Sequence, residues 1–135
     1  VNGVVQFTVF GVPQPQGSTR AFMAGGRPII TSSNKNLGQW RQLISDVSQK
    51  YATMHEGAVW VHLEFILPRP KSLAKKQTRH TKRPDVDKLI RAVCDSLTGI
   101  MWHDDSQVVE VWARKFYCHP DDDPQPCVRI SLGER

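Results

Sequence analysis

Arg83-Pro-Asp-Val-Asp-Lys-Leu-Ile-Arg-Ala-Val-Cys-Asp-Ser-Leu-Thr-Gly99, followed after two residues by Trp102-His-Asp-Asp-Ser-Gln-Val108, is the stretch on which both the fold and the chemistry of this chain turn. On a helical wheel at about 100° per residue, Leu89, Ile90, Val93, Cys94 and Leu97 fill one arc. That arc predicts a helix from about Asp87 to Leu97 with one face in a core, ended by Gly99. Asp87, Lys88, Arg91, Asp95 and Thr98 fall within roughly 100° on the other side. One polar stripe thus mixes carboxylates with cations, and Asp85 stands just ahead of its first turn.

Working outward, the segment upstream from Pro68 to Arg83 has no apolar periodicity, only prolines, cations and polar residues. A loop this long inside a small domain is usually functional or disordered. Before it, Ala58 to Leu67 alternates Val59, Val61, Leu63 and Phe65 to one side, a strand. Ser33 or Asn34 can cap a helix running to about Tyr51, with Leu37, Trp40, Leu43, Ile44 and Val47 on one stripe. Val5, Phe7 and Val9 form a half-buried strand, stopped by Gly11-Val-Pro-Gln-Pro-Gln-Gly17. Ala21 to Ile30 predicts a hairpin around Gly25-Gly26. Downstream, Val108 to Tyr117 reads as a strand, Asp121 to Pro124 as a turn and Cys127 to Leu132 as a last strand. The order β, hairpin, α, β, α, β, β predicts an α/β (α+β) fold. We expect a single domain over residues 1–135, a mixed β-sheet packed against two main helices.

Charge is unevenly distributed. The net charge is +5, yet Arg69 to Arg91 alone holds nine cations against two anions, leaving the remainder slightly acidic. Concentrated positive charge makes a local field that phosphate backbones seek; the plainer reading is a solvated basic loop. Lys71, Lys75, Lys76, Arg79, Lys82, Arg83 and Lys88 are the expected DNA-binding residues. No apolar run approaches the roughly 20 residues that cross a bilayer, and Val1 to Phe10 lacks a signal-peptide pattern. Three widely spaced cysteines suit reduced thiols, so a cytoplasmic location is expected.

Two carboxylates two residues apart, with the pair Asp104-Asp105 after a short loop, could meet at one point. Hard divalent cations take oxygen ligands, usually one or two carboxylates plus water and phosphate. Such an ion activates water and neutralises charge on a scissile phosphate. Plainer readings stand beside this one. Acids in a first turn suit the helix dipole, Asp-Asp before a strand often forms a turn, and Asp95 is an i,i+4 partner for Arg91. Cys118-His119 with Cys127 and His103 matches no common zinc spacing. No G-x-x-x-x-G-K-[ST] loop is present, so no nucleotide cofactor is expected.

The string R-P-D-V-D-K-L-I-R-A-V-C-D-S-L-T-G, then W-H-D-D-S-Q-V-V-E, resembles the signature of the RusA family of Holliday-junction resolvases, approximately P-D-x-D-N-L-x-K, D-A-L-x-G and D-D-x-Q-V. The opening Phe7 to Gly17 is similar more loosely. The resemblance implies a homodimeric endodeoxyribonuclease that nicks four-way DNA junctions symmetrically with Mg²⁺ (Mn²⁺ substituting), in DNA recombination and repair. It implies a phage or prophage origin within a bacterial host. The catalytic residues would be Asp85, Asp87, Asp105 and Arg91, and the metal ligands Asp85, Asp87, Asp104 and Asp105. Two positions depart: Lys88 stands where the family has asparagine, and Arg91 where it has lysine. Arginine keeps its proton, so it can hold phosphate charge but cannot donate a proton. Two other readings are a catalytically inactive junction-binding protein and a nuclease acting more broadly on branched DNA.

Overall fold

A computed structural model describes residues 3–17, 19–32 and 34–135. Its centre is β4 (Val59–Leu67), where the alternation of apolar and polar residues becomes a strand with Val59, Val61, Leu63 and Phe65 fully buried. On one side β4 pairs in parallel with β5 (Val108–Tyr117); on the other it pairs antiparallel with β6 (Cys127–Glu134). β1 (Val5–Phe10) completes the mixed sheet, in the order β1-β6-β4-β5. Parallel neighbours need a crossover, and α2 (Val86–Leu97) supplies it between β4 and β5. β2 (Thr19–Ala24) and β3 (Arg27–Ser32) form the expected hairpin, which stands as a separate two-stranded sheet, with Gly25 and Gly26 both at positive φ.

The other helix, α1 (Leu37–Gln49), packs on α2, and both join β4, β6 and β1 in one core. Three expectations shift here. The residue capping α1 is Asn36; Asn34 instead accepts a bond from the Asn36 N–H at 3.0 Å and donates to Gln14 and to the Pro15 carbonyl. Ser33, the other expected cap, lies outside the described residues. The buried arc of α2 is Leu89, Ala92, Val93, Ser96 and Leu97, with Ile90 and Cys94 only half-buried. The arc turns toward small residues because α1 lies against that face. Ser96 satisfies its buried hydroxyl on the Ala92 carbonyl at 2.7 Å, while Ser45 of α1 donates to the Ser96 carbonyl at 3.2 Å. On α1, Leu37, Trp40 and Ile44 are buried as the stripe predicts, but Leu43 remains exposed.

Among the described residues, the opposite face of the sheet carries no helix. Trp60, His62 and Trp112 are neighbours there, covered by cations held in ion pairs. Arg135 lies over Trp60 and bonds Glu110; Arg114 lies over Trp112 and pairs with Glu64, which also pairs with Arg129. A Cβ on Gly133 would come within 3.0 Å of the Trp60 indole, so glycine there lets the ring lie across β6. Among the described residues no helix is long and apolar enough to cross a membrane.

Candidate active site

The site is organised along α2, whose direction the topology fixes. The chain leaves the end of β4, passes the basic segment, descends through α2 and enters β5 at its start. At the upper end Asp85 takes the N-cap position in extended conformation, yet its side chain makes no capping bond. Its carboxylate is half exposed and faces the Lys88 ammonium at 3.4 Å. Asp87, in the first turn, is exposed with no partner among the described residues. Lys115, near the end of β5, donates to the carbonyls of Lys82 at 2.6 Å and Pro84 at 2.8 Å. That ammonium pins the entry to α2 against the sheet.

The N-terminal turn is strapped beside this end. The Gln16 N–H donates to the Lys88 carbonyl at 3.0 Å, and its side-chain amide donates to Asp95 at 2.5 Å. Asp95 is therefore committed to Gln16 and not to Arg91, which corrects the i,i+4 expectation. Arg91 is exposed and makes no ion pair among the described residues. Between the Pro-rich turn, Arg83, Asp85 and Lys88 opens a cleft of about 510 Å³.

At the lower end the pair Asp104-Asp105 divides its work. Asp104 caps a single 3₁₀ turn, accepting from the Ser106 N–H at 2.8 Å, with Gln107 reaching back to complete a capping box. Those bonds from Ser106 hold its carboxyl below the usual carboxylate range. Asp105 turns instead toward α2 and accepts from the Thr98 hydroxyl; the Trp102 indole N–H donates to Thr98 at 3.0 Å. Burial, then the charges of Asp105 and Asp95, push the neighbouring Cys94 thiol up to about 12, so it stays protonated and unreactive.

The four aspartates do not meet at one point within the chain. Thr98 closes the C-terminal end of a 12-residue helix whose N-cap is Asp85, a separation of roughly 18 Å along the axis. Among the described residues no three His, Cys, Asp or Glu side chains stand together as a metal cluster. An ion that keeps several waters needs only one or two carboxylates, and Asp85 with Asp87 supplies that number at the upper end.

The basic segment is built, although it contains neither helix nor strand. Arg69 braces it from within, donating to the carbonyls of Gln77 and Ala74 at 2.8 Å each while lying over the Tyr117 ring. His80 stacks on the other part of that contact, 4.3 Å from Tyr117; burial and then Lys115 lower its pKa. Lys71, Lys75, Lys76, Arg79, Lys82 and Arg83 are all exposed, without an ion pair among the described residues. Unpaired cations on an ordered loop are free to meet phosphate.

The sequence pattern of the endodeoxyribonuclease RusA family matches residues 11–131. The chain belongs to that family. Its members are nucleases that act on DNA phosphodiester bonds, depend on divalent metal and resolve Holliday junctions. A Bacillus subtilis (strain 168) relative, described as uncharacterized protein YqaN, is 31% identical, with 96% of each chain covered. This RusA-family chain is thus an endodeoxyribonuclease. Its fold and motif were legible in the sequence, but Gln16, Thr98 and Lys115 were not singled out as builders of the site. Thr98 lay in the polar stripe of the wheel; Gln16 and Lys115 act on residues distant in the chain and leave no local signal.

Proposed function

We propose that this chain resolves four-way DNA junctions by paired symmetric nicking, as a homodimer using Mg²⁺, in DNA recombination and repair within the cytoplasm of a bacterial host. The observation that carries the reading is the upper end of α2. There two exposed aspartates, neither spent on capping, adjoin a segment of six unpaired cations. Lys71, Lys75, Lys76, Arg79, Lys82 and Arg83 draw the phosphate backbone, and their field offsets the repulsion between DNA and carboxylates. Asp85 and Asp87 hold the cation, with Mn²⁺ able to substitute. When bound, that ion supplies water activation and charge neutralisation at the scissile phosphate.

Arg91, one turn below Asp87 on the same face, holds a phosphate oxygen and the charge that develops on it. Lys88 orients Asp85 when no DNA is present. Asp105 lies too far along α2 to join Asp85 in its own chain, so a two-fold partner is the natural source of a third carboxylate. Symmetry suits the substrate, because a junction presents equivalent strands to two equivalent sites. The phage or prophage setting belongs to the same reading.

The test is cleavage of synthetic four-way junction, fork and duplex DNA, with and without Mg²⁺. Paired nicks in the junction alone are expected, dependent on the metal. Equal cutting of forks would mean a broader branched-DNA nuclease, and tight binding without cutting an inactive junction binder.

A further inference from the structure

We propose that a second copy of this chain pairs on the outer edge of β5, antiparallel, about a two-fold axis at Trp112. The inference rests on the homodimer reading above and names the surface that makes the dimer. β5 is ten residues long, and among the described residues its outer edge is unpaired. A long open edge with apolar side chains pairs readily with another strand. Val109, Val111 and Trp112 stand 62%, 43% and 48% exposed along it. The other sheet edge, β1, is only six residues long and ends at Phe10, before Gly11, which lies beside Trp40 and Leu43.

The sequence of β5 complements itself. In an antiparallel pair centred on Trp112, Glu110 of each copy stands opposite Arg114 of the other, and Val111 stands opposite Ala113. Glu110, Trp112 and Arg114 share the open face of the sheet, in register with Trp60, His62 and Glu64 of β4. Opposite charges directly across an antiparallel pair are stabilising, as are aromatic pairs. Within the chain Glu110 is already fixed by Arg135 and His62, and Arg114 by Glu64. Sliding the register by two residues sets Glu110 against Trp112 or Phe116 and loses both charge pairs. Because residues of one parity meet, both helix layers stay on the same side of an eight-stranded sheet. The pairing also runs the two α2 helices in opposite senses, which turns the Asp105 end of one toward the Asp85–Asp87 end of the other.

Light scattering on the eluting protein tests this directly. The wild type should run as two 15.3 kDa chains. Glu110→Arg and Arg114→Glu should each run as one, and the double reversal should restore the dimer. Oxidised Trp112→Cys should give a covalent dimer on a denaturing gel, and Phe10→Cys on the β1 edge should not. If circular dichroism finds a reversal unfolded, the cross-link at position 112 decides alone. A wild-type dimer that survives both single reversals, with no cross-link at 112, overturns this interface and leaves the homodimer standing. A wild type that stays at 15.3 kDa across micromolar concentrations overturns both.

Discussion

At its N-terminal end α2 carries Asp85 and Asp87, exposed and without a capping bond; at its C-terminal end the carboxylate of Asp105 is tied to Thr98, and Asp104 caps a turn. The residue type is the same and the commitments are opposite. A carboxylate that already accepts bonds from its own chain is positioned, at the expense of freedom to rearrange around a ligand. One that accepts none keeps all its lone pairs for an ion or for water. The upper end also has the basic segment beside it, while the lower end has Glu56 and His103, paired with each other. The two ends thus differ in field as well as in geometry, and the proposed function gives the upper one the anionic backbone.

The sharpest way to break this contrast is to remove charge at each end separately. Asp85→Asn and Asp87→Asn should reduce Mg²⁺-dependent cleavage to the metal-free background, with junction binding retained or tightened, since repulsion toward phosphate falls. Asp105→Asn should do the same if its carboxylate reaches a site in the second copy. Cleavage at near wild-type rate by Asp105→Asn would make the lower end purely structural.

Arg91 comes next in size. With Asp95 held by Gln16, Arg91 has no ion pair among the described residues, and the proposed function assigns it to the substrate phosphate. Arg91→Ala should slow single-turnover cleavage on the order of 10²-fold, the scale of losing one transition-state donor. Arg91→Lys should keep much of the rate. An alanine variant within a few-fold of wild type would remove Arg91 from the site and leave Lys88 as the cation to test.

A smaller effect is expected from the basic segment. Neutralising Lys75, Lys76 and Arg79 should weaken binding to every DNA shape alike and lower the slope of log affinity against log salt by nearly 3, at roughly 0.9 per phosphate contact. Arg69→Ala should act differently, because Arg69 braces the loop from inside; it should alter cleavage more than the salt slope. An unchanged slope in the triple variant would return those side chains to ordinary solvated surface.

The smallest effects are in stability, and they compare the two ends most directly. Thr98→Val removes the hydroxyl shared by Asp105 and the indole of the fully buried Trp102, so it should cost about 1–3 kcal/mol. Thr98→Ser should restore most of that. Lys88→Gln breaks only an exposed ion pair at the upper end and should cost under about 1 kcal/mol. Denaturant melts of the three variants read both differences; equal losses at the two ends would contradict the division of labour.

Much of this molecule could be read from local pattern. The alternation of Val59, Val61, Leu63 and Phe65 named the central strand, because burial on one face of a sheet requires a period of two. Gly25-Gly26 named the hairpin turn, and the polar stripe of α2 placed Asp87, Arg91 and Thr98 on one face. The motif from Arg83 to Gly99 and the pair Asp104-Asp105 pointed to the family. The charge run from Arg69 to Arg91 named a set of cations that the fold leaves largely exposed. These are properties of neighbours in the chain, and neighbours are what a sequence records.

What the tertiary structure decided depends on distances between residues far apart in sequence. Asp95 has a plausible partner four residues away in Arg91, but a turn some eighty residues upstream supplies Gln16 and takes it. Asp104 and Asp105 are adjacent, yet a 3₁₀ turn sends one carboxylate to cap its own backbone and the other to Thr98. Asp85 and Asp105 flank α2, whose length sets roughly 18 Å along the axis between Asp85 and Thr98, the residue that Asp105 accepts from. Sequence determined which groups this protein possesses and which of them are periodic; packing determined which carboxylates are free, because a helix fixes separation and a single bond to a distant residue settles where a side chain is spent.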